Sequence, residues 1–323
     1  MCLRSCKRYG KSNFNKKIES NNMKTTLLFS GQGAQSVGMA KTLYENFDSV
    51  KNLFDRADET LGFKISKICF EGPSEELTKT NICQPALYLH GFAVVEVLKE
   101  KGLLGDVVSA IGLSLGELTA HAFAGTYSFE TGLKIVEERG RLMQMACDAT
   151  DGAMASFIGA TAEQVQEYCD EFDIDMSNLN CPGQVVISGA TENIKAAVEA
   201  AKERKAFKLV VPLKVAGAYH SRLMKPAQVE FEKFLSSIEF NTPSVKVFTN
   251  VTGKEVSNPE EIKKMLVSQV VSTVRWEDCV RAAASLGVDQ FYECGPGAVL
   301  GGMCKRIDRA LNVKSLAEIS DFQ

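Results

Sequence analysis

The chain has 323 residues, 45% hydrophobic and 24% charged, with a formal net charge of −3, the balance of a soluble globular protein with core enough for one large domain or two. No apolar run approaches the ~18 residues that cross a bilayer, and the mild acidity argues against nucleic acid as a partner. The ten cysteines are scattered, with no C-x-x-C pair and no Cys/His metal spacing, which excludes a disulfide framework and a metal site and points to a reducing compartment, the cytoplasm.

Residues 1–22 differ from the rest, with six Lys/Arg against the single acid Glu19, and they lack periodicity. Two readings compete for this basic extension: an over-extended gene start with Met23 as initiator, which the Asn-rich composition favours, or an organellar targeting peptide. Gly10-Lys11-Ser12 is no phosphate loop, because the required upstream glycine position holds Ser5 and no strand precedes it.

From Lys24 onward strand-like and helix-like segments alternate, as in an α/β domain. Leu27–Phe29 reads as a strand, and Gly38–Asn46 and Ser49–Thr60 as helices. Pro85–Lys101 reads as a long amphipathic helix, Val107–Ile111 as a strand and Phe129–Cys147 as a helix. Residues 150–212 follow a different rhythm. Strand Ala153–Gly159, helix Thr161–Phe172, strand Ile174–Asn178, a Cys181-Pro182-Gly183 turn, strand Gln184–Ser188, helix Glu192–Arg204 and strand Phe207–Pro212 give the order β-α-β-β-α-β. That is the order of a ferredoxin-like unit, inserted between residues 23–149 and 213–323 of the larger domain. Near the C-terminus, strand Asp289–Glu293, Gly295-Pro296-Gly297 and helix Val299–Ile307 form a second strand-glycine-helix unit. An insert of this kind makes a cleft with its host domain, where ligand sites usually form.

The most informative segment is Gly112-Leu113-Ser114-Leu115-Gly116, between the strand Val107–Ile111 and the helix-like Glu117–Ala124. A Gly-x-Ser-x-Gly turn between strand and helix lifts a serine hydroxyl off the sheet and aims free helix N–H groups at a developing oxyanion. An ordinary βα loop is the alternative. Gly31-Gln32-Gly33 after the first strand is no dinucleotide fingerprint, since Ser36 holds the third glycine position and Asp48 lies on a helix. It is either a glycine-rich turn or the second donor of an oxyanion hole shared with Leu115. Of the three histidines, His90 and His121 lie on helical stretches as packed or surface residues, whereas His220 lies in the polar loop Gly217–Arg222 and is the candidate base. Arg139 stands among Glu137, Glu138 and Arg141; it belongs either to a solvated, ion-paired face or to a carboxylate grip.

Taken together, Phe29-Ser30-Gly31-Gln32-Gly33-Ala34-Gln35, Gly112-Leu113-Ser114-Leu115-Gly116-Glu117, Glu138-Arg139-Gly140, Asn180–Gly189, Ala218-Tyr219-His220-Ser221 and Glu293-Cys294-Gly295-Pro296-Gly297 resemble, in order, the malonyl-CoA:acyl carrier protein transacylase family of fatty-acid synthesis. The resemblance runs from about Lys24 to near Ile307. It implies an α/β-hydrolase-like parallel-sheet domain with the ferredoxin-like insert, Ser114 as nucleophile and His220 as base. It further implies an oxyanion hole from the N–H groups of Gln32 and Leu115, a grip on the malonyl carboxylate by Arg139, and the main-chain carbonyl of Gln269 on the His220 ring. Malonyl-CoA and the phosphopantetheine thiol of acyl carrier protein are then substrates, no metal or other cofactor is needed, and a monomer is expected. Three positions depart from or refine the pattern: Leu113 stands where the family usually has histidine, Ser30 where it has proline, and the bulky Tyr219 favours malonyl over a branched acyl group. The rivals are a polyketide-type acyltransferase acting in trans, a serine hydrolase with an acid behind its histidine, and an inactive homologue that docks carrier protein.

Overall fold

The computed structural model describes residues 23–323; both readings of residues 1–22 lie outside the described residues. The strands, in chain order, are β1 (Lys24–Phe29), β2 (Asp106–Gly112), β3 (Gly152–Ile158), β4 (Asp175–Cys181), β5 (Gln184–Ala190), β6 (Leu209–Pro212), β7 (Lys246–Val247), β8 (Gln290–Cys294) and β9 (Val313–Leu316). They form two sheets. One is parallel throughout, in the order β7-β2-β1-β8-β9. Its central strand β1 is buried from Thr25 to Phe29, because helices cover both faces and leave no solvated side to alternate with. Phe29 pairs with Gly112 on one side and Cys294 on the other. The three strands therefore end level, and the loops at 30–35, 113–114 and 295–298 emerge side by side at the carboxyl edge, where open α/β sheets bind ligands.

The other sheet is antiparallel, in the order β4-β5-β3-β6, the ferredoxin-like arrangement that the β-α-β-β-α-β order predicts. The helices Ala162–Phe172 and Thr191–Glu203 close its own core around Phe157, Ile187, Val165 and Ala197. The Ala162–Phe172 helix opens on a capping box, Thr161 to Gln164, worth ~1 kcal/mol. Met154 and Val186 leave this small core and pack into the core of the parallel-sheet domain, which fixes one sheet against the other.

Two predicted helices differ from what is observed. The first of them begins at Lys41, not Gly38, after a turn in which Gly38 takes a positive φ. The long helix spans Thr80–Glu100 with Pro85 inside it, and it is buried on nearly every side rather than amphipathic. It crosses the middle of the domain, against the Phe129–Asp148 helix and beneath the sheet, so tertiary packing outweighs the proline signal. The structure also adds helices Lys225–Ser236, Pro259–Gln269 and Trp276–Ala284 in a stretch where the sequence predicts none.

Candidate active site

The turn at Ser114 is built by close approach. A Cβ on Gly112 would lie 1.9 Å from the carbonyl carbon of Gly116, and one on Gly116 would lie 2.1 Å from the Phe29 oxygen. Only glycine lets strand and helix come together at this point. Ser114 itself takes φ 53° and ψ −102°, a region that costs a non-glycine residue about 1–3 kcal/mol and persists only where surrounding contacts enforce it. Its hydroxyl is thereby lifted into a cavity of about 580 Å³ between the two sheets. Leu115 opens the following helix, and Gln32 lines the same cavity from the β1 loop.

His220 arrives from the opposite side, also at positive φ, 56°. Its loop is tied to β4 through Arg222, whose main-chain N–H donates to Asp175 at 2.8 Å and whose guanidinium pairs with Asp175 at 2.8 Å. The ring is oriented at both nitrogens. Nδ1 donates to the Gln269 carbonyl at 2.8 Å, which leaves Nε2 free to accept the Ser114 hydroxyl at 2.7 Å. Burial, and secondarily the positive Arg139, pull His220 down to about 4. The imidazole is neutral at pH 7, as a general base must be. Among the described residues no carboxylate bonds this ring.

Arg139 is 1% exposed, so the solvated-face reading fails for it. Its neighbour Arg141 takes that role instead, pairing with Glu138 at 2.7 Å. The Arg139 guanidinium donates to Gln84 Oε1 at 2.9 Å, Gln269 Oε1 at 2.8 Å and Ser114 Oγ at 3.1 Å, all neutral acceptors, and its Nε has no partner among the described residues. Burial lowers it to about 10, an effect that the Glu117 charge partly offsets, so it stays cationic. A buried cation without a carboxylate in contact is expensive, and here it faces a cavity beside a serine hydroxyl. The cavity thus brings together a serine hydroxyl hydrogen-bonded to a neutral imidazole, the first residue of the following helix, and a buried guanidinium.

The family described as "Acyl transferase domain" matches residues 26–320. The chain belongs to this acyl transferase family. Among curated proteins, the malonyl CoA-acyl carrier protein transacylase of Bacillus subtilis is 41% identical over 300 residues, spanning 91% of this chain and 94% of that protein. A polyketide biosynthesis malonyl CoA-acyl carrier protein transacylase of Bacillus velezensis is also 41% identical, over 87% of this chain and 96% of its own length. Among solved structures, an acyl carrier protein S-malonyltransferase from Vibrio cholerae superposes with a TM-score of 0.88 at 37% identity, covering 92% and 98% of the two chains. A malonyl-transacylase in complex with its type II PKS acyl-carrier protein gives the same TM-score and identity over 92% and 97%.

The acyl transferase leaves His90 and His121 out of this site. Both are packed, His90 Nε2 bonding the Ala317 carbonyl at 2.9 Å and His121 Nδ1 meeting Thr126 Oγ1 at 3.2 Å. Burial lowers them to about 4 and about 3. Tyr219 points its hydroxyl at Thr80 Oγ1, 2.7 Å, and receives the Gln32 amide at 3.3 Å, tying the β1 loop to the His220 loop. Leu113 is partly buried against the cluster that holds Ile111, Phe248 and Trp276 and lines the cavity. Gln84 and Asn250 carried no signal in the sequence, being single polar residues outside any motif.

Proposed function

We propose that this acyl transferase moves the malonyl group of malonyl-CoA to the phosphopantetheine thiol of acyl carrier protein through a malonyl-serine ester. Ser114 attacks the thioester carbonyl while His220 Nε2 takes its proton. The N–H groups of Gln32 and Leu115 stabilise the tetrahedral oxyanion, and the proton passes to the CoA sulfur as it leaves. In the second half the carrier thiol gives its proton to His220 and attacks the ester, and Ser114 leaves with that proton. Gln269 holds the imidazole in the tautomer both steps need. The reaction requires no metal or redox cofactor, and we assign it to a monomer in the cytoplasm, away from any membrane.

The observation that carries the reading is Arg139, a buried guanidinium whose acceptors are all neutral and which lies 3.1 Å from the Ser114 oxygen. A malonyl group brings a carboxylate that fits this fork bidentately, and an acetyl group leaves it unpaired. Tyr219 and the 580 Å³ cavity set the space beside the α-carbon. Lys214, exposed at the cavity rim, offers an acidic carrier a positive contact. The Bacillus velezensis relative favours a second carrier, that of a polyketide assembly, for the same chemistry. Initial rates at varied malonyl-CoA and carrier should give parallel double-reciprocal lines. Intersecting lines would mean direct transfer without an acyl-enzyme and would end the proposal.

A further inference from the structure

The strained turn at Ser114 is held by a side chain that no motif marks. Asn250 follows β7 and is fully buried. Its Oδ1 accepts the Ser114 N–H at 2.7 Å and its Nδ2 donates to the Gly112 carbonyl at 2.9 Å. One planar amide therefore bridges the two successive peptide groups that flank Leu113 and lead into Ser114. Asn250 is fixed in its own right: its main-chain N–H donates to Glu117 Oε2 at 2.9 Å. The same carboxylate oxygen accepts Gln269 Nε2 at 2.6 Å. Gln269 Nε2 also reaches the Ser114 carbonyl at 3.0 Å, while the Gln269 main chain holds His220 and its Oε1 holds Arg139. Glu117, Asn250 and Gln269 thus form one buried network touching nucleophile, base and arginine.

We propose that Asn250, anchored by Glu117, is the positioning residue that imposes the strained Ser114 conformation and so sets the distance between Ser114 Oγ and His220 Nε2. The inference rests on the reading of Ser114 as nucleophile. It needs both halves of the amide, since an acceptor alone would hold the Ser114 N–H and leave the Gly112 carbonyl unclamped. Burial also raises Glu117. The groups that face Asn250 are Glu117, the Cys279 thiol at 3.7 Å from Nδ2 and, one residue further through Gln269, Arg139 and His220.

The test is the single-turnover rate of malonyl transfer from malonyl-CoA to the protein, followed by mass, in Asn250→Ala and Asn250→Asp. Loss of the clamp should slow acylation about 100-fold in Asn250→Ala at unchanged half-saturating malonyl-CoA, the scale of a misplaced reacting group. Asn250→Asp is isosteric and keeps the test open where the alanine variant does not fold. Its carboxyl, buried beside Glu117, has a raised pKa. Protonated, it donates to the Gly112 carbonyl and accepts the Ser114 N–H; ionised, it only accepts. Acylation by Asn250→Asp should therefore rise as pH falls from 8 to 6, where the unsubstituted protein is flat, and a residue that only supports the fold would give no such rise. Wild-type rates in a folded Asn250→Ala, or an Asn250→Asp profile parallel to wild type, would overturn the proposal. Ser114→Ala separates it from the reading it rests on: an adduct persisting there removes the nucleophile assignment whatever the Asn250 variants do.

Discussion

The parallel sheet and the antiparallel sheet face one cavity but bring different chemistry to it. From the parallel-sheet domain come Ser114, Arg139, His220, Gln32 and Gln84; from the antiparallel sheet come Met154, Asn178, Asn180 and Val186, with no base or nucleophile among them. The difference follows from strand ends. Parallel strands that finish level release several loops at one edge, among them the turn that holds Ser114 at positive φ; His220, also at positive φ, meets it from the segment that follows β6, and buried hydrogen bonds hold both. The antiparallel sheet presents its face, which is rigid, regular and suited to shaping a wall. On the proposed mechanism, strained loops carry the reaction and the insert lines the room beside it. Arg222 is one of the points where the two meet, since it ties the His220 loop to β4.

That contrast can be broken by substitution. The largest effect belongs to Ser114→Ala, which should lower transfer by at least ~10³-fold with the fold unchanged, read as loss of carrier malonylation. Next is Arg139→Ala, where losing a buried charge-assisted partner is worth about 3–5 kcal/mol, or roughly 10²–10⁴-fold in malonyl transfer. Acetyl transfer should fall far less, and a ratio of malonyl to acetyl rates that does not move would remove Arg139 from the grip. In the wall, Met154→Ala should raise the KM for malonyl-CoA a few-fold and cost about 2–4 kcal/mol of stability through its cavity, with kcat nearly unchanged. A kcat loss matching that of Arg139→Ala would mean the insert takes part in the chemistry. Smallest is Arg141→Ala on the same helix as Arg139, an exposed ion pair worth ~0.5 kcal/mol, detectable as a small shift in thermal midpoint and absent from the kinetics.

Acid separates the regions as well. His90, His121 and His220 are lowered to about 4, 3 and 4 by burial, and all three belong to the parallel-sheet domain. Below about pH 6.5 the unfolded chain binds protons that the folded chain refuses, so stability falls with pH toward 4 and is unaffected above 7. Because His220 stays neutral over the same range, kcat/KM should hold its plateau well below pH 6.5, with the acid limb nearer 4 to 5. Unfolding and activity measured across pH 4–8 check both statements, and an acid limb at 6.5 would contradict the buried, neutral His220.

Much of this was legible in the chain. The glycines around Ser114 and the β-α-β-β-α-β rhythm of the insert are local patterns, and local patterns survive in sequence. The Thr80–Glu100 helix was misread because its periodicity is flat: a helix covered on all sides has no polar face to show. The two-residue β7 is too short for any period. Gln269 entered only through the family resemblance, as a main-chain carbonyl carries no side-chain signal. Asn250 and Gln84 were invisible, because a polar residue becomes part of a site only when distant loops meet, and Asn250 is 136 residues from the Ser114 N–H it accepts. For Arg139 the residues alone favoured a solvated surface face over a buried grip, and its burial overturns that reading.

The central claim is that a carboxylate-bearing acyl group is passed covalently through Ser114. The most direct measurement is the intact mass, and then the modified peptide, of the protein incubated with malonyl-CoA alone. The account predicts a stable malonyl adduct on the peptide carrying Ser114, discharged by carrier thiol and much reduced in Arg139→Ala. Steady release of free malonate with no adduct would show a hydrolase, and an adduct on any other residue would contradict the site described.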